Sequence, residues 1–300
     1  MPLSSLIDTR VLRRHRLALA CVLGIVALAF LETMNALLAP LNAPTNEDWR
    51  RASTQVRRGF RPGDLIVAAP AWADPLLRHH LGDLIPLPVA GRMDAARYAR
   101  IWEISQRGQG SPEVEGGTPT ETSRHGGLTV RLYERKPARV LFDFVAEWSQ
   151  ATVTRDLGGG HVNFCNSMGD RFQCPDVPGS PIKPELLEID TSPRFVLGIP
   201  MVGSAATVVE YDRVPLGRDL VVGVGLHNVW LRKAGKGIVT VRVVVAGREV
   251  GRLQAGSMTG WTLRKLDTSF LAGQKATVRF EVTTDDPRAR TLGLAAEARQ

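Results

Sequence analysis

The hydrophobic pattern changes most sharply near the start of the chain, where fifteen apolar residues, 17–31, follow a basic stretch. As a helix this run would rise only about 22 Å, but an extension to residue 39 crosses a hydrocarbon core of roughly 30 Å. Arginines cluster on its N-terminal side, at positions 10–16. Because positive charge favours the cytoplasmic side, we predict a cytoplasmic basic segment 1–16, a membrane anchor 17–39, and a periplasmic or extracellular remainder.

Two alternatives compete with an anchor. A signal peptide would have the same apolar run, but its cleavage sites after Ala39 and Ala43 are each followed by proline, which disfavours cleavage. A buried helix of a cytoplasmic domain would carry polar residues on one face, and none occurs for four turns. The pattern therefore favours an uncleaved single-pass anchor.

The pattern from residue 45 to residue 105 is typical of a small α/β segment. Thr45, followed by acidic residues, indicates a helix start, and apolar residues then recur at helical spacing up to Phe60. A continuous apolar run at 65–69 predicts a buried strand, 76–81 a short helix, and 98–104 a second strand. These elements are too few for a complete doubly wound domain.

The rest of the chain is predicted to be strands after a linker. Residues 106–127 are rich in glycine and proline, which predicts a linker. From residue 128 the apolar period is two, and Ala246-Gly247 marks a tight turn. The fold class is therefore α+β, with a C-terminal antiparallel β-sandwich of jelly-roll type over 128–300. The predicted strands are 129–135, 139–145, 205–211, 219–226, 239–245, 248–253, 262–266, 276–283 and 292–298.

Composition narrows the function classes. A chain of 300 residues suits two folded units, and 44% apolar with 23% charged residues excludes wholesale disorder. The formal charge of +8 is scattered along the strands, and its densest cluster adjoins the apolar run. We therefore expect the membrane, and not nucleic acid, as the partner of the basic residues.

The cysteines indicate an oxidising compartment. Cys21 lies in the predicted anchor, whereas Cys165 and Cys174 bracket eight intervening, mostly polar and turn-forming residues. This spacing favours a disulfide that closes a surface loop. The alternative is a metal site, which needs more than two thiolates, and no nearby cysteine or histidine pair supplies them. We expect no metal and no cofactor.

A family resemblance enters in the last strands. Residues 260–282 contain a strand beginning at Trp261, a turn ending in Ala272-Gly273 and an alternating strand. This order resembles the late strands of galactose-binding-like β-sandwiches. The resemblance covers about the last 80 residues and implies a sandwich of this kind. Such sandwiches commonly bind glycans through loops at one end, and many others pack against a neighbour.

Three short runs, 48–52, 61–67 and 98–102, carry a second resemblance. They are similar to the extracytoplasmic region of bacterial membrane glycosyltransferases of the protein-mannosyltransferase type. Those enzymes need many membrane helices, and this chain has one. The resemblance therefore implies association with envelope glycan metabolism and a polytopic membrane glycosyltransferase as a partner, and it argues against this chain being the transferase.

Candidate ligand-binding residues cluster after the predicted strand 219–226. His227, Asn228, Trp230 and Arg232 combine an aromatic face with polar and basic groups at a loop, as a glycan site would. Trp72, Trp148 and Trp261 are the other candidates for stacking on a sugar, and core packing is the alternative for each tryptophan.

No residue pattern indicates a catalytic site. The adjacent His79 and His80 point about 100° apart on a helix, so they would not both face one metal ion. No serine occurs in a nucleophile elbow, and no carboxylate pair stands out. We therefore predict a membrane-anchored extracytoplasmic accessory or binding protein in envelope glycan or glycoconjugate handling. The alternatives are a carbohydrate-active enzyme related to glycosyltransferases and a structural partner of a polytopic membrane protein.

Overall fold

The first element is a long apolar helix, α1 (Thr9–Leu38). The computed structural model describes residues 9–38, 43–227, 237–256, 259–286 and 290–300. Within α1 the stretch Ala18–Leu38 has a mean hydropathy of 2.0 and none of it is buried. Its length and composition suffice to cross a membrane, and a signal sequence would have the same features.

The next helix, α2 (Asn46–Gly59), begins where the sequence predicts it. The Thr45 hydroxyl accepts a hydrogen bond from the Asp48 amide at 3.2 Å, and the Asp48 carboxylate accepts one from the Thr45 amide at 2.9 Å. This capping box satisfies two amides that the first helical turn leaves free. Trp49 and Val56 lie on the buried face of the helix.

A four-stranded sheet lies beside α2. It consists of β1 (Leu65–Ala69), β2 (Arg100–Gln106), β3 (Glu121–His125) and β4 (Leu128–Glu134), in the order β1-β2-β4-β3. Strands β1 and β2 are parallel, and the other pairs are antiparallel. The crossover between β1 and β2 contains α3 (Asp74–Leu81) and the single turn α4 (Leu87–Ala90).

The structure differs here from the expected division of the chain. The segment expected to be a linker, 106–127, contains a short 3-10 helix (Pro112–Val114) and β3. Strand β4, expected to open the sandwich, pairs instead with β2. The reason is that β3 is a largely exposed edge strand built from polar residues, so the sequence lacks the apolar alternation by which strands are recognised.

The remaining strands form two six-stranded antiparallel sheets, which confirms the predicted sandwich. The inner sheet has the order β10-β11-β18-β13-β16, with β5 paired to β18; the outer sheet has the order β15-β14-β17-β12-β6-β7. A two-stranded ribbon, β8-β9, accompanies them. The strands are β5 (Val140–Asp143), β6 (Ala151–Asp156), β7 (Val162–Phe164), β8 (Asn166–Ser167), β9 (Phe172–Gln173), β10 (Lys183–Ile189), β11 (Ser192–Met201), β12 (Ala206–Pro215), β13 (Asp219–Leu226), β14 (Val239–Val245), β15 (Arg248–Ala255), β16 (Thr262–Asp267), β17 (Lys275–Thr284) and β18 (Arg290–Arg299).

The two sheets enclose the main core. Alternate residues of β13 and β18 from the inner sheet meet those of β14 and β17 from the outer sheet, and Phe280 and Tyr211 are fully buried among them. The predicted turn at Ala246 and Gly247 joins β14 to β15 with positive φ angles of 50° and 79°. Two successive positive φ angles give the twist that a two-residue hairpin requires.

The predicted disulfide is confirmed. Cys165 and Cys174 are bonded, and the loop between them contains the small ribbon β8-β9. Phe172 of this loop packs edge-on against Trp148, with 5.3 Å between ring centroids, so the bond attaches the loop to the sandwich core.

The face of the inner sheet turned away from the sandwich core packs against the segment Gly91–Asp94, which we call the joint. Met93 lies in a small apolar cluster with Ile189, Val196 and Ala295. The Phe195 amide donates to the Gly91 carbonyl at 2.6 Å. The joint therefore connects the four-stranded sheet and its helices to the sandwich.

An ion network closes the same contact. Arg299 donates to both Asp94 carboxylate oxygens at 2.8 and 2.9 Å and to Glu297 at 2.7 Å. Arg97 pairs with Glu297 at 3.0 Å and with Asp143 at 2.8 Å. Burial raises the pKa of Glu297, although both arginines oppose this shift. The alternation of β18 places Glu297 and Arg299 on one face, directed at the joint.

We predict that replacing both Cys165 and Cys174 with serine lowers the free energy of unfolding by roughly 2–3 kcal/mol, because the open chain regains loop entropy. Denaturant unfolding of the oxidised protein measures this. Cys21→Ser is the control, since Cys21 is a free, exposed cysteine of α1. Equal stability of the double variant and the control would refute a structural role for the bond.

We also predict that Arg299→Met destabilises the protein by about 3–5 kcal/mol, because it leaves buried carboxylates without their cation. The matched control is Arg279→Met in the outer sheet. Arg279 also pairs with a carboxylate, Glu210 at 2.6 Å, but its side chain is 45% exposed, against 6% for Arg299. The control variant should lower the free energy of unfolding by at most about 1 kcal/mol. Similar midpoints for the two variants in denaturant unfolding would contradict the importance of the network.

Candidate functional site

The predicted loop site can be located only at its first residue. His227 follows the end of β13, is partly buried, and its amide donates to the Thr291 carbonyl at 2.9 Å. Asn228, Trp230 and Arg232 lie outside the described residues. Their role in ligand binding stays a prediction.

The other tryptophans differ in their surroundings. Trp148 and Trp261 are partly buried, and the Trp261 indole donates to the Met93 carbonyl at 3.2 Å, so both serve packing. Trp49 and Trp102 are buried in the core around the four-stranded sheet. Trp72 is 62% exposed, so among the described tryptophans it is the one with a ring open to a ligand.

Trp72 lines a cleft of about 530 Å³ at the carboxyl end of β1. One wall comes from the residues that follow β1 and from α3, a second from the turn at Ser111–Glu113, and a third from the β10-β11 hairpin at residues 191–194. The carboxyl ends of parallel strands are where α/β sheets commonly bind ligands, and the volume suits a small molecule. The joint determines how the sandwich hairpin closes this cleft.

The carboxylates of the cleft are paired with arginines. Arg78 binds Asp74 one helical turn away. Arg92 binds Glu113, whose other oxygen accepts a hydrogen bond from the Ser111 hydroxyl. Burial alone would raise the pKa of Glu113, but Arg92 and Ser111 together hold it below its ordinary value. Glu113 is therefore an ionised acceptor near neutral pH.

Arg194 belongs to the third wall of the cleft. Its Nη1 donates to the backbone carbonyls of Arg92 at 2.7 Å and Met93 at 3.2 Å. The guanidinium carbon lies 5.3 Å from the ring centroid of Trp261, a cation–π contact. Burial lowers the pKa of Arg194, and repulsion from Arg92 adds to this shift.

The described residues contain no group of three or more His, Cys, Asp or Glu side chains placed to hold a metal ion. His79 and His80 lie near the end of α3, with ring centroids 4.9 Å apart in an edge-on contact. His80 also stacks on Trp49 at 5.9 Å, which gives it a packing role.

A second concave surface lies on the outer sheet. Phe164, 66% exposed, borders a groove crossed by the ion pairs of Arg279 with Glu210 and of Arg242 with Glu281. These ion pairs connect neighbouring strands, β12 with β17 and β14 with β17.

The chain is similar to a CBM51 carbohydrate-binding module from Clostridium perfringens in complex with methyl-galactose, at 14% identity and a TM-score of 0.28, over 38% of this chain and 80% of that one. It is also similar to a CBM36 module in complex with calcium and xylotriose, at 15% identity and a TM-score of 0.23, over 33% and 76%. A third similar structure is the K1 cleaved adhesin domain of Lys-gingipain from Porphyromonas gingivalis. Its sequence identity is 12% and its TM-score is 0.30, over 50% of this chain and 91% of that one.

No family model and no curated protein matches the chain. The three structural similarities are too weak to identify a ligand, and the sandwich rests on its own strand pairing. The resemblance of the N-terminal runs to protein-mannosyltransferase-type enzymes gains no support from the comparisons.

Sequence reasoning missed most of the cleft. The sequence indicates Trp72 as one of four tryptophans that could stack on a sugar, but it does not indicate Arg92, Glu113 or Arg194. A signal existed for Arg194, because Asp190-Thr191-Ser192-Pro193 is a turn sequence between two apolar runs and predicts a hairpin. Nothing local places that hairpin beside Trp72, which is more than 100 residues away in sequence.

Proposed function

We propose that this protein is a membrane-anchored, extracytoplasmic, non-catalytic protein that binds a glycan in the Trp72 cleft. The observation that carries the proposal is the exposed Trp72 ring in a cleft lined by arginines and carboxylates. An aromatic face packs against the C–H face of a sugar ring. Arginines around it donate hydrogen bonds to the sugar hydroxyls, and carboxylates accept hydrogen bonds from them. The cleft combines both kinds of contact.

The carboxylates favour binding over catalysis. Glycoside hydrolysis needs one carboxyl group with a raised pKa to protonate the leaving oxygen. Glu113 in the cleft instead has a lowered pKa, and Asp74 is paired with Arg78. A carbohydrate-active enzyme is the alternative, and turnover of a sugar donor or a glycoside by the purified chain would establish it.

Two features support an extracytoplasmic location. The Cys165–Cys174 disulfide is typical of an oxidising compartment. Basic residues precede the apolar part of α1, which favours a cytoplasmic N-terminus.

We propose that the chain assists a polytopic membrane glycosyltransferase. In the second alternative, the chain is a structural partner of such a protein, and the arginine-bearing outer sheet would be the interface.

We predict that Trp72→Ala weakens glycan binding tenfold or more, because a central aromatic anchor commonly contributes about 2 kcal/mol. The whole chain in detergent micelles is screened on a glycan array, and hits are titrated. The binding experiment needs the whole chain, because a fragment that starts at residue 128 would separate β4 from β2, its partner in the sheet. Since Trp72 is exposed, the variant should keep its stability within about 0.5 kcal/mol.

Phe164→Ala is the matched control, because it removes an equally exposed ring from the outer sheet. It should leave binding unchanged. Loss of binding in Trp230→Ala with binding intact in Trp72→Ala would place the site in the segment after β13. An array without any hit would refute glycan binding.

A further inference from the structure

Arg194 is the arginine of the cleft that has no carboxylate partner among the residues the structure describes. Arg78 pairs with Asp74 and Arg92 with Glu113. Within the described part of the chain, no carboxylate lies within ion-pair distance of the Arg194 guanidinium, which makes its hydrogen bonds through Nη1 to backbone carbonyls. Three arginines and two carboxylates line the cleft, so it carries one positive charge in excess.

The position of Arg194 is held from both sides. Its Nη1 bonds to the joint, its guanidinium carbon lies over the Trp261 ring, and the next amide, Phe195 N, donates to the Gly91 carbonyl. Its Nε is buried and has no hydrogen-bond partner among the described residues. With Nη1 bonded to the joint and Nε enclosed, Nη2 is the nitrogen of this guanidinium left to donate to a ligand, and the other contacts hold it in place for a charge-assisted hydrogen bond to an oxyanion.

The neighbouring charges do not neutralise Arg194. Glu113, Asp94 and Asp190 are near enough to favour its charged form, but burial and Arg92 outweigh them. Asp94 is bound bidentately by Arg299, and Glu113 is bound by Arg92 and Ser111. Arg194 is partly buried and has no dedicated counterion among the described residues, so an anionic ligand group would reduce the cost of its desolvation.

We infer that the cleft recognises an oxyanion on its glycan, the carboxylate of a uronic acid or a phosphate ester, through Arg194, with Arg92 beside it. This inference rests on the proposed glycan binding and names the ligand class. Trp72 would pack against a sugar ring while Arg194 binds the anionic substituent, since both line the same cleft.

The test compares two matched ligand pairs on the whole chain in detergent micelles. One pair is tetragalacturonate and its carboxyl-reduced form; the other is a hexose 1-phosphate and the free hexose. Calorimetric titration should show at least a tenfold preference for one acidic member, and which pair shows it identifies the source of the anion. Absence of preference in both pairs would overturn the inference while leaving neutral glycan binding intact.

Arg194→Met removes the guanidinium that lies over Trp261 and should abolish the preference for the acidic member of the pair. Arg248→Met is the matched control, since Arg248 also lies over an aromatic ring, Phe270 at 5.1 Å, outside the cleft. It should keep the preference. A preference that survives in Arg194→Met would overturn the inference. If this variant does not fold, Arg194→Lys takes its place and should reduce the preference, because a single ammonium group cannot both bond to the joint carbonyls and present a second nitrogen to the ligand.

A second probe separates this inference from the proposed function. Inorganic phosphate, compared with chloride at equal ionic strength, should raise the melting temperature of the wild type more than that of Arg194→Met. If no glycan binds but this difference is present, the oxyanion site stands and the glycan proposal falls. An equal shift in both proteins, or none in either, would overturn the oxyanion site.

Discussion

The close contact between the joint and β11 is the constraint on which the candidate site depends. A Cβ on Gly91 would lie 2.6 Å from the Phe195 amide nitrogen, so the two backbones approach as closely as glycine allows. The Gly91 carbonyl accepts from that same amide at 2.6 Å. Glycine is needed here for space, since its φ of −92° is open to any residue.

The contact has a consequence for two walls of the cleft, the turn at Ser111–Glu113 and the β10-β11 hairpin. The carbonyls of Arg92 and Met93 hold Arg194, the Met93 carbonyl also holds Trp261, and the Arg92 side chain holds Glu113. A few residues of irregular backbone thus orient groups from both the four-stranded sheet and the sandwich. If the joint shifted, the walls around Trp72 would separate while each sheet kept its own hydrogen bonds.

Much of the fold could be predicted because the signals are local. The alternation of apolar and polar residues from Val239 to Val245, together with the turn at Ala246-Gly247, specifies a hairpin without reference to the rest of the chain. The short separation of Cys165 and Cys174 in sequence likewise favours a disulfide between them. The hairpin β10-β11 was missed because its burial does not alternate cleanly: β11 is buried on both faces from Val196 to Ile199, between the core and the joint. The cleft combines residues 72, 113 and 194, and such a grouping is a property of the tertiary fold.

The central claim is that the cleft organised by the joint is where this protein meets its ligand. Amide hydrogen exchange of the whole chain, with and without saturating tetragalacturonate, tests it most directly. We expect slower exchange in residues 71–78, 91–94 and 192–195 together, because the ligand would tie the three walls to each other. Protection confined to the outer sheet around β14 and β17, or to the segment after β13, with these three segments unchanged, would contradict the claim.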